Sequence, residues 1–484
     1  MIDSLINSLR AQLSCLETIT AEEKARFTYA SLQIPIEQTI TLAPTNMSES
    51  FFLTKPDTNF SLLGLSSLLT LKAKGSKRFN SIKSDYSEIL NKHFFIPTDD
   101  NELTIPIAFL AFAFDENDPM DNNWEQFPNT LLTIPTVLIK ETDSCQTLVV
   151  NIELKQGSYD DTFKNIAELL NQYLKQIDPT SPFFKGGLRG VKPSCRNASL
   201  PDNGSLPAES SWQTLTQKAI TEIKSGRFDK LVTSRQYSMQ TEDSISVTDL
   251  VQKLTKHYPT CTILSYQLSD KNIVAVSPEC LLTLQHPNIQ SDAIGGTIVR
   301  NKPSTNNSSN PSLPLLFNQS LTQVESASAE NKKLLKEHAF IAQDIYQCLD
   351  PLCNTLKMPV SPFLMKLHNM YHLETPVQGK LMDEYGLFDV IETLHPTPAV
   401  AGFPAQEARQ WLIENENYHR GWYTGAFGWL DGKQNGELSV MLRCALIKDN
   451  QVDLFAGAGL VAESDPDVEW LETELKMQTI MEML

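Results

Sequence analysis

Apolar positions at the start of the chain fall at helical spacing. Leu5, Leu9, Leu13 and Leu16 recur every three or four residues, which predicts helix within residues 1–30. From about Thr39 to Gly75 the pattern shortens to β-like runs between turns, among them Phe51-Phe52-Leu53 and Leu68-Leu69-Thr70-Leu71. Residues 105–114 are apolar throughout, too long a run for a half-exposed strand, so a strand buried on both faces is expected. Residues 131–139 and 147–154 predict paired strands, and 163–177 an amphipathic helix.

Residues 178–210 change character. Asp178-Pro179-Thr180-Ser181-Pro182, Lys185-Gly186-Gly187 and Pro201-Asp202-Asn203-Gly204-Ser205 make a polar, Pro/Gly/Ser-rich connection. The chain thus divides into an N-terminal α/β half, 1–177, a flexible connection, 178–210, and a catalytic region, 211–484, on which the first half packs. Helical pattern resumes over 212–223. A second Asn/Ser/Pro-rich stretch, 301–314, reads as a mobile surface loop. Residues 325–349 predict a long helix with Leu334, His338, Ile341 and Ile345 on one stripe, and 438–447 and 452–456 predict strands. Strands occur in both halves without regular βαβα alternation. The expected class is α+β, with large mostly antiparallel sheets flanked by helices.

Composition narrows the function. The formal net charge of −18 over 484 residues argues against a general nucleic-acid binder, which needs clustered Lys and Arg. A small anionic substrate remains open, because a local basic pocket can oppose the global sign. The eight cysteines are scattered, with no CxxC pair, as free thiols of a reducing compartment would be. No apolar run approaches eighteen residues and the N-terminus lacks a signal-peptide pattern, so a soluble cytoplasmic protein is expected.

Chemistry concentrates in the second half. Near the C-terminus, Gly457-Ala458-Gly459-Leu460-Val461 reads as a strand end and a glycine turn. A helix follows, with Ser464 as its N-cap and Pro466 in the first turn. On that helix Glu469 and Glu472 are i,i+3 neighbours and Lys476 lies four beyond Glu472. Such a face could hold a divalent cation and an anion, or be a solvated face with salt bridges. Lys230, among Phe228, Leu231 and Val232, is either a desolvated general base or a strand-end lysine reaching water. Glu279, in Ser277-Pro278-Glu279, is either a turn residue or a carboxyl suited to acid catalysis.

Other stretches are weaker singly. Gly295-Gly296-Thr297 with Arg300 is an anion-binding turn by flexibility and charge. His338 lies on an apolar stripe, as a satisfied core histidine would, while Glu337 beside it could enter a cleft. Residues 394–404 hold three prolines and a glycine, a rigid loop of the kind that carries function. Glu416 precedes Arg420-Gly421-Trp422-Tyr423-Thr424-Gly425, and Arg443 stands inside a predicted strand, where it needs a carboxylate partner from the protein or a ligand.

In this order the motifs over 211–484 strongly resemble the chorismate-utilising enzymes: Lys230-Leu-Val, Ser277-Pro-Glu, Gly295-Gly-Thr-x-x-Arg300, Glu337-His, Leu394-His-Pro-Thr-Pro-Ala-Val-Ala-Gly, Arg420-Gly-Trp-Tyr-x-Gly, Arg443, Gly457-Ala-Gly-Leu-Val and Glu469-x-x-Glu472-x-x-x-Lys476. The first 200 residues match more loosely, through Ala113-Phe114-Asp115, Trp124-x-x-Phe127-Pro128 and Ile134-Pro135. The resemblance implies the family's chorismate-binding fold. Anthranilate synthases of the family carry glutamine where this chain has Lys230. Aminodeoxychorismate synthases place a nucleophilic lysine just ahead of the Gly-Thr pair, where Ile294 and Gly295 stand. Lysine at 230 marks the water-using isochorismate and salicylate synthases. Ala399-Val400-Ala401-Gly402 and Gly296-Thr297-x-x-Arg300 look most like isochorismate synthases of menaquinone biosynthesis.

The resemblance also implies roles. Lys230 would be the general base for water attacking C2 of chorismate, and Glu279 the general acid for the departing C4 hydroxyl. Glu337 and Glu472 would ligate Mg²⁺, with Glu469 helping through water. Arg443, Tyr423, Lys476 and the backbone at Gly457 and Gly459 would hold substrate, joined by Gly296, Thr297, His372 and Thr397. Leu334 replaces an acidic residue frequent in the family, and 301–314 reads as an insertion. A monomer without nucleic-acid or membrane partners is expected. Rival readings are a salicylate synthase, which goes on to eliminate pyruvate, and a non-catalytic binding subunit, for which a retained acid and base have no use.

Overall fold

The computed structural model describes residues 2–37, 39–95, 106–143, 145–154, 158–177, 205–299, 329–366 and 370–484. The 301–314 stretch, Arg300, Cys195 and most of the 178–210 connection lie outside them.

The expected α+β class is what the chain adopts. Among the described residues, twenty strands join into one hydrogen-bonded sheet system, antiparallel except where Tyr29–Ile36 runs beside His93–Phe95. Its centre is the pair Phe60–Ala73 and Thr130–Glu141, from which two arms diverge. One arm passes through Glu49–Lys55, Thr262–Leu268, Lys271–Ser277, Cys444–Lys448 and Gln451–Leu460 to Lys230–Gln240. The other passes through Ala108–Phe112, Ala426–Leu430, Gly436–Val440, Cys280–Gln285 and Asn288–Val299 to Met370–Leu381. Strands from before residue 178 therefore form the centre and the first step of each arm, and strands from after 204 continue both arms. The hydrophobic clusters are likewise shared, Phe112 and Phe79 packing with Leu231 and Leu394.

Local patterns translate mostly as expected. Ala108–Phe112, inside the apolar run, is buried at every position. Thr130–Glu141 pairs antiparallel with Gln146–Glu153, and Asp160–Ile177 is helical. The N-terminal helical stretch is instead two helices, Ile2–Glu17 and Ala21–Arg26, before the strand that starts at Tyr29. Thr20 forms a capping box with Glu23, which restarts the helix there.

Four local expectations need correction. Gly457 to Leu460, read as a strand end and glycine turn, are strand throughout, part of Gln451–Leu460. Helix Ser205–Lys224 begins inside the stretch read as connection. The Gly295-Gly296-Thr297 segment is no turn but a bulge within the strand Asn288–Val299, where the register against Met370–Leu381 slips by one and Gly296 takes φ 70°. The predicted strand 438–447 is two strands, because Arg443 takes φ 45° and breaks the run between Val440 and Cys444.

Candidate active site

The site lies between the two arms. From the first arm comes Lys230–Gln240, whose first six residues are all buried. The strand opens on Lys230, 1% exposed, and is held by Gly402–Phe403 of the proline-rich loop on one edge and by Gln451–Leu460 on the other. Because alternate strand residues share a face, Val232 follows Lys230 into the cavity. On the neighbouring strand Phe455, Gly457 and Gly459 line it at the same period. A β-carbon on Gly459 would stand 2.3 Å from Oε1 of Glu337 and 3.0 Å from Cε of Lys230, so only glycine leaves room for both side chains.

Glu337 sits on helix Ala329–Leu349, which packs over the bulged strand, and its Oε1 is 3.1 Å from Nζ of Lys230. His338 next to it faces the core, bonded through Nε2 to Oγ1 of Thr375 at 2.7 Å. Burial, with Lys230 nearby, lowers its pKa to about 4, so it is a neutral core histidine, as the apolar stripe suggests.

Glu279 precedes the strand Cys280–Gln285 and is 4% exposed. Its backbone carbonyl accepts from Val440 N and its amide meets Oγ of Ser277, which fixes the backbone at the cavity edge. Burial raises its pKa to about 8; Lys230 opposes the shift, Asp292 adds to it, and Lys476 opposes it. A carboxyl held protonated near neutrality can donate a proton.

The C-terminal helix Pro466–Met481 contributes the remaining charges. Asp465, rather than Ser464, caps it: the Asp465 side chain accepts from Asp467 N and Val468 N, while Ser464 Oγ turns back to accept from Val461 N. Lys476 pairs with Glu472 at 2.7 Å and donates to the carbonyl of Gly457 at 2.8 Å, tying helix to strand. Arg443 donates through a terminal nitrogen to Nε2 of His372 at 2.8 Å. Burial first, then Arg443 and Lys476, push the His372 pKa well below its ordinary value, and a neutral imidazole accepts such a bond.

These elements enclose one cavity of about 710 Å³ including its open mouth, a size suited to a small molecule. The acid–base candidates Lys230 and Glu279 line it, with the carboxylates Glu337 and Glu472. Gly296, His372, Tyr423 and Arg443 also line it, with Gly457, Gly459 and Lys476 on the strand–helix side. Two predicted residues are not brought in by a side chain. Thr397 is buried in the proline-rich loop but only Ala399 and Val400 of that loop reach the cavity. Glu469 is 2% exposed and lies off the lining, one turn nearer the helix N-terminus than Glu472. Thr297 has a described backbone only.

Sequence reading missed Val232, Phe455, Leu442 and Ile294 as lining residues. Period-two alternation outward from Lys230 and Gly457 would have found the first two. No group of three or more His, Cys, Asp or Glu in metal-holding geometry occurs among the described residues. Glu337 and Glu472 do present hard oxygen donors to the same cavity, and magnesium is commonly held by one or two carboxylates with water and substrate completing the shell. The donor set fits.

Comparison with known proteins agrees with the geometry. A family model described as "Chorismate binding enzyme" matches residues 14–484. Isochorismate synthase MenF of Bacillus subtilis (strain 168) is 26% identical over 440 residues, covering 90% of this chain and 87% of that protein. The salicylate biosynthesis isochorismate synthase of Pseudomonas aeruginosa is 27% identical over 375 residues, 77% of this chain and 73% of that one. The solved structure of MenF, the menaquinone-specific isochorismate synthase from Escherichia coli, superposes with a TM-score of 0.69 at 20% identity, covering 99% of this chain and 100% of that chain, a likeness of fold. No helix among the described residues is long and apolar enough to cross a membrane. With a family model spanning nearly its whole length, and with the motifs of that family gathered around one cavity, this chain belongs to the chorismate-binding enzyme family.

Proposed function

We propose that the protein is an isochorismate synthase, converting chorismate to isochorismate. The observation that carries this reading is the convergence of Lys230 and Glu279, both buried, on one cavity that also holds Arg443 and Lys476. A base and an acid in one pocket serve a reaction in which a hydroxyl is added at one ring carbon and another is expelled. Arg443 and Lys476 supply the positive charge that a dianionic substrate needs in a chain of net charge −18.

In this reading Lys230 takes a proton from a water as its oxygen bonds to C2. The ring double bonds shift, the C4–O bond breaks, and Glu279 gives its proton to the departing hydroxyl, which leaves as water. One water enters and one leaves, so the change is an isomerisation. Ile294 and Gly295 line the cavity where aminodeoxychorismate synthases carry a nucleophilic lysine, which supports water as the attacking group. Arg443, Lys476 and the Tyr423 hydroxyl hold the substrate carboxylates. Neutral His372 orients Arg443, and the backbone at Gly296, Gly457 and Gly459 lets the ring lie close.

Glu337 and Glu472 would hold Mg²⁺, with Glu469 acting only through water. Bound there, the ion supplies a hard positive charge that offsets repulsion between these carboxylates and the substrate's own. Supply of menaquinone biosynthesis from the cytoplasm, by a monomer, is the accompanying cellular reading, favoured by the likeness to the MenF proteins.

Incubation with chorismate and Mg²⁺, followed by chromatographic separation, tests the activity. Isochorismate without pyruvate is expected. Salicylate plus pyruvate would make the protein a salicylate synthase, and an unchanged chorismate peak would make it a silent binding member of the family.

A further inference from the structure

Arg420 and Glu416 stand outside the residues assigned to the reaction, yet they join its two walls. Both are buried, with side chains 2% and 3% exposed. All five guanidinium N–H donors of Arg420 are used. Nε and one NH2 hydrogen bond Glu416 at 2.7 and 2.6 Å; the other NH2 hydrogen reaches the Val232 carbonyl at 2.7 Å. The two on NH1 reach the Val400 carbonyl at 2.9 Å and Oγ1 of Thr424 at 3.2 Å. Val232, Val400 and Thr424 all line the cavity, and they come from three separate segments. Glu416 completes the clamp, accepting at Oε1 from both N and Oγ of Ser234 on the Lys230 strand, each at 2.8 Å. The ring of Phe114 closes one face of the guanidinium at 4.4 Å.

We infer that Arg420, oriented by Glu416, is a positioning residue that sets the spacing between the strand carrying Lys230 and the loop carrying Val400. The inference rests on the proposed reaction for its kinetic readout. The clamp holds the wall that bears the base. Of the groups that hold the substrate, Tyr423 adjoins the clamp, its amide donating to the Arg420 carbonyl at 3.0 Å, while Arg443 donates to His372 from a strand junction and Lys476 bonds Glu472 and the Gly457 carbonyl from the C-terminal helix. Loss of the clamp therefore separates turnover from binding. Lysine cannot substitute, since its three donors diverge from one nitrogen and cannot fork to a carboxylate and two carbonyls at once.

Three variants test this: Arg420→Lys, Arg420→Met, and the double change Arg420→Met with Glu416→Leu, which leaves no unpaired buried charge. Calorimetric titration with chorismate gives Kd and the number of binding-competent sites, and turnover is expressed per site. Turnover per site is expected to fall about 100-fold, the scale of a misplacement near 1 Å, while Kd stays within about fivefold. Turnover per site equal to that of the unaltered protein would reduce the clamp to a structural role and overturn the inference. A parallel loss of Kd and turnover would overturn it too. Should the unaltered protein bind chorismate without converting it, the proposed reaction fails by itself. Amide exchange then decides the positioning claim: faster exchange at Val232 and Ser234 in the variants supports it, and unchanged exchange contradicts it.

Discussion

The Lys230 amine stands 3.1 Å from Oε1 of Glu337, and Gly459 is the residue that makes room for the pair. A β-carbon there would overlap the Glu337 carboxylate and press on Cε of Lys230. Gly459→Ala should therefore lower kcat by about 100-fold, through displacement of reacting groups. The accompanying overpacking should cost no more than about 1–3 kcal/mol in stability. Steady-state kinetics beside a denaturant titration checks both. An active Gly459→Ala enzyme would mean that the pair is not seated as described.

Lys230→Ala removes the base while the strand it opens remains held on both edges. Turnover should drop at least ~1000-fold, toward the upper range for loss of a general base, with the fold retained. Circular dichroism and product formation measure the two halves of this expectation. Activity near that of the unaltered protein removes Lys230 from the role.

Glu279 gives the reaction its expected pH dependence. Its pKa is raised to about 8, chiefly by burial, and the acid works only while protonated. As pH rises through about 8 the proton is lost, so kcat/KM should descend on the alkaline side. Asp292 is one of the groups that raise this pKa. Asp292→Asn removes that negative charge, so the descending limb should move to lower pH. A limb that stays put or moves upward in Asp292→Asn contradicts the assignment.

Glu472 shares the cavity with Glu337 and is paired with Lys476. Glu472→Gln should weaken Mg²⁺ activation by at least ~10-fold, the scale reached even by loss of outer-shell metal partners. Titrating Mg²⁺ against initial rate, with calorimetry of Mg²⁺ alone as a second readout, measures it. An unchanged midpoint in both would remove Glu472 from the ligand set.

The chemistry was more legible in the sequence than the geometry that seats it. Lys230, Glu279, Glu337 and Glu472 could be named because each lies in a short motif, and motif order survives without coordinates. The bulge at Gly296 and the break at Arg443 could not, since neither a one-residue register slip nor positive φ at the non-glycine Arg443 leaves a mark in a hydrophobic pattern. Glu469 was grouped with Glu472 by i,i+3 spacing, which gives a shared helix face but not a shared depth: Glu469 stands about 4.5 Å nearer the helix N-terminus and off the lining. The Glu416–Arg420 clamp escaped notice for another reason. Its i,i+4 spacing signals contact on a helix, whereas helix Ala405–Asn415 has already ended, and its partners lie in segments distant in sequence.

The central claim is that water attacks C2 while the C4 hydroxyl departs. Turnover of chorismate in ¹⁸O-labelled water, with mass spectrometry of the ring-derived fragments, tests it most directly. The account predicts isochorismate carrying one ¹⁸O, located at C2. Unlabelled isochorismate would mean that the hydroxyl migrates within the substrate, and would contradict the roles given to Lys230 and Glu279.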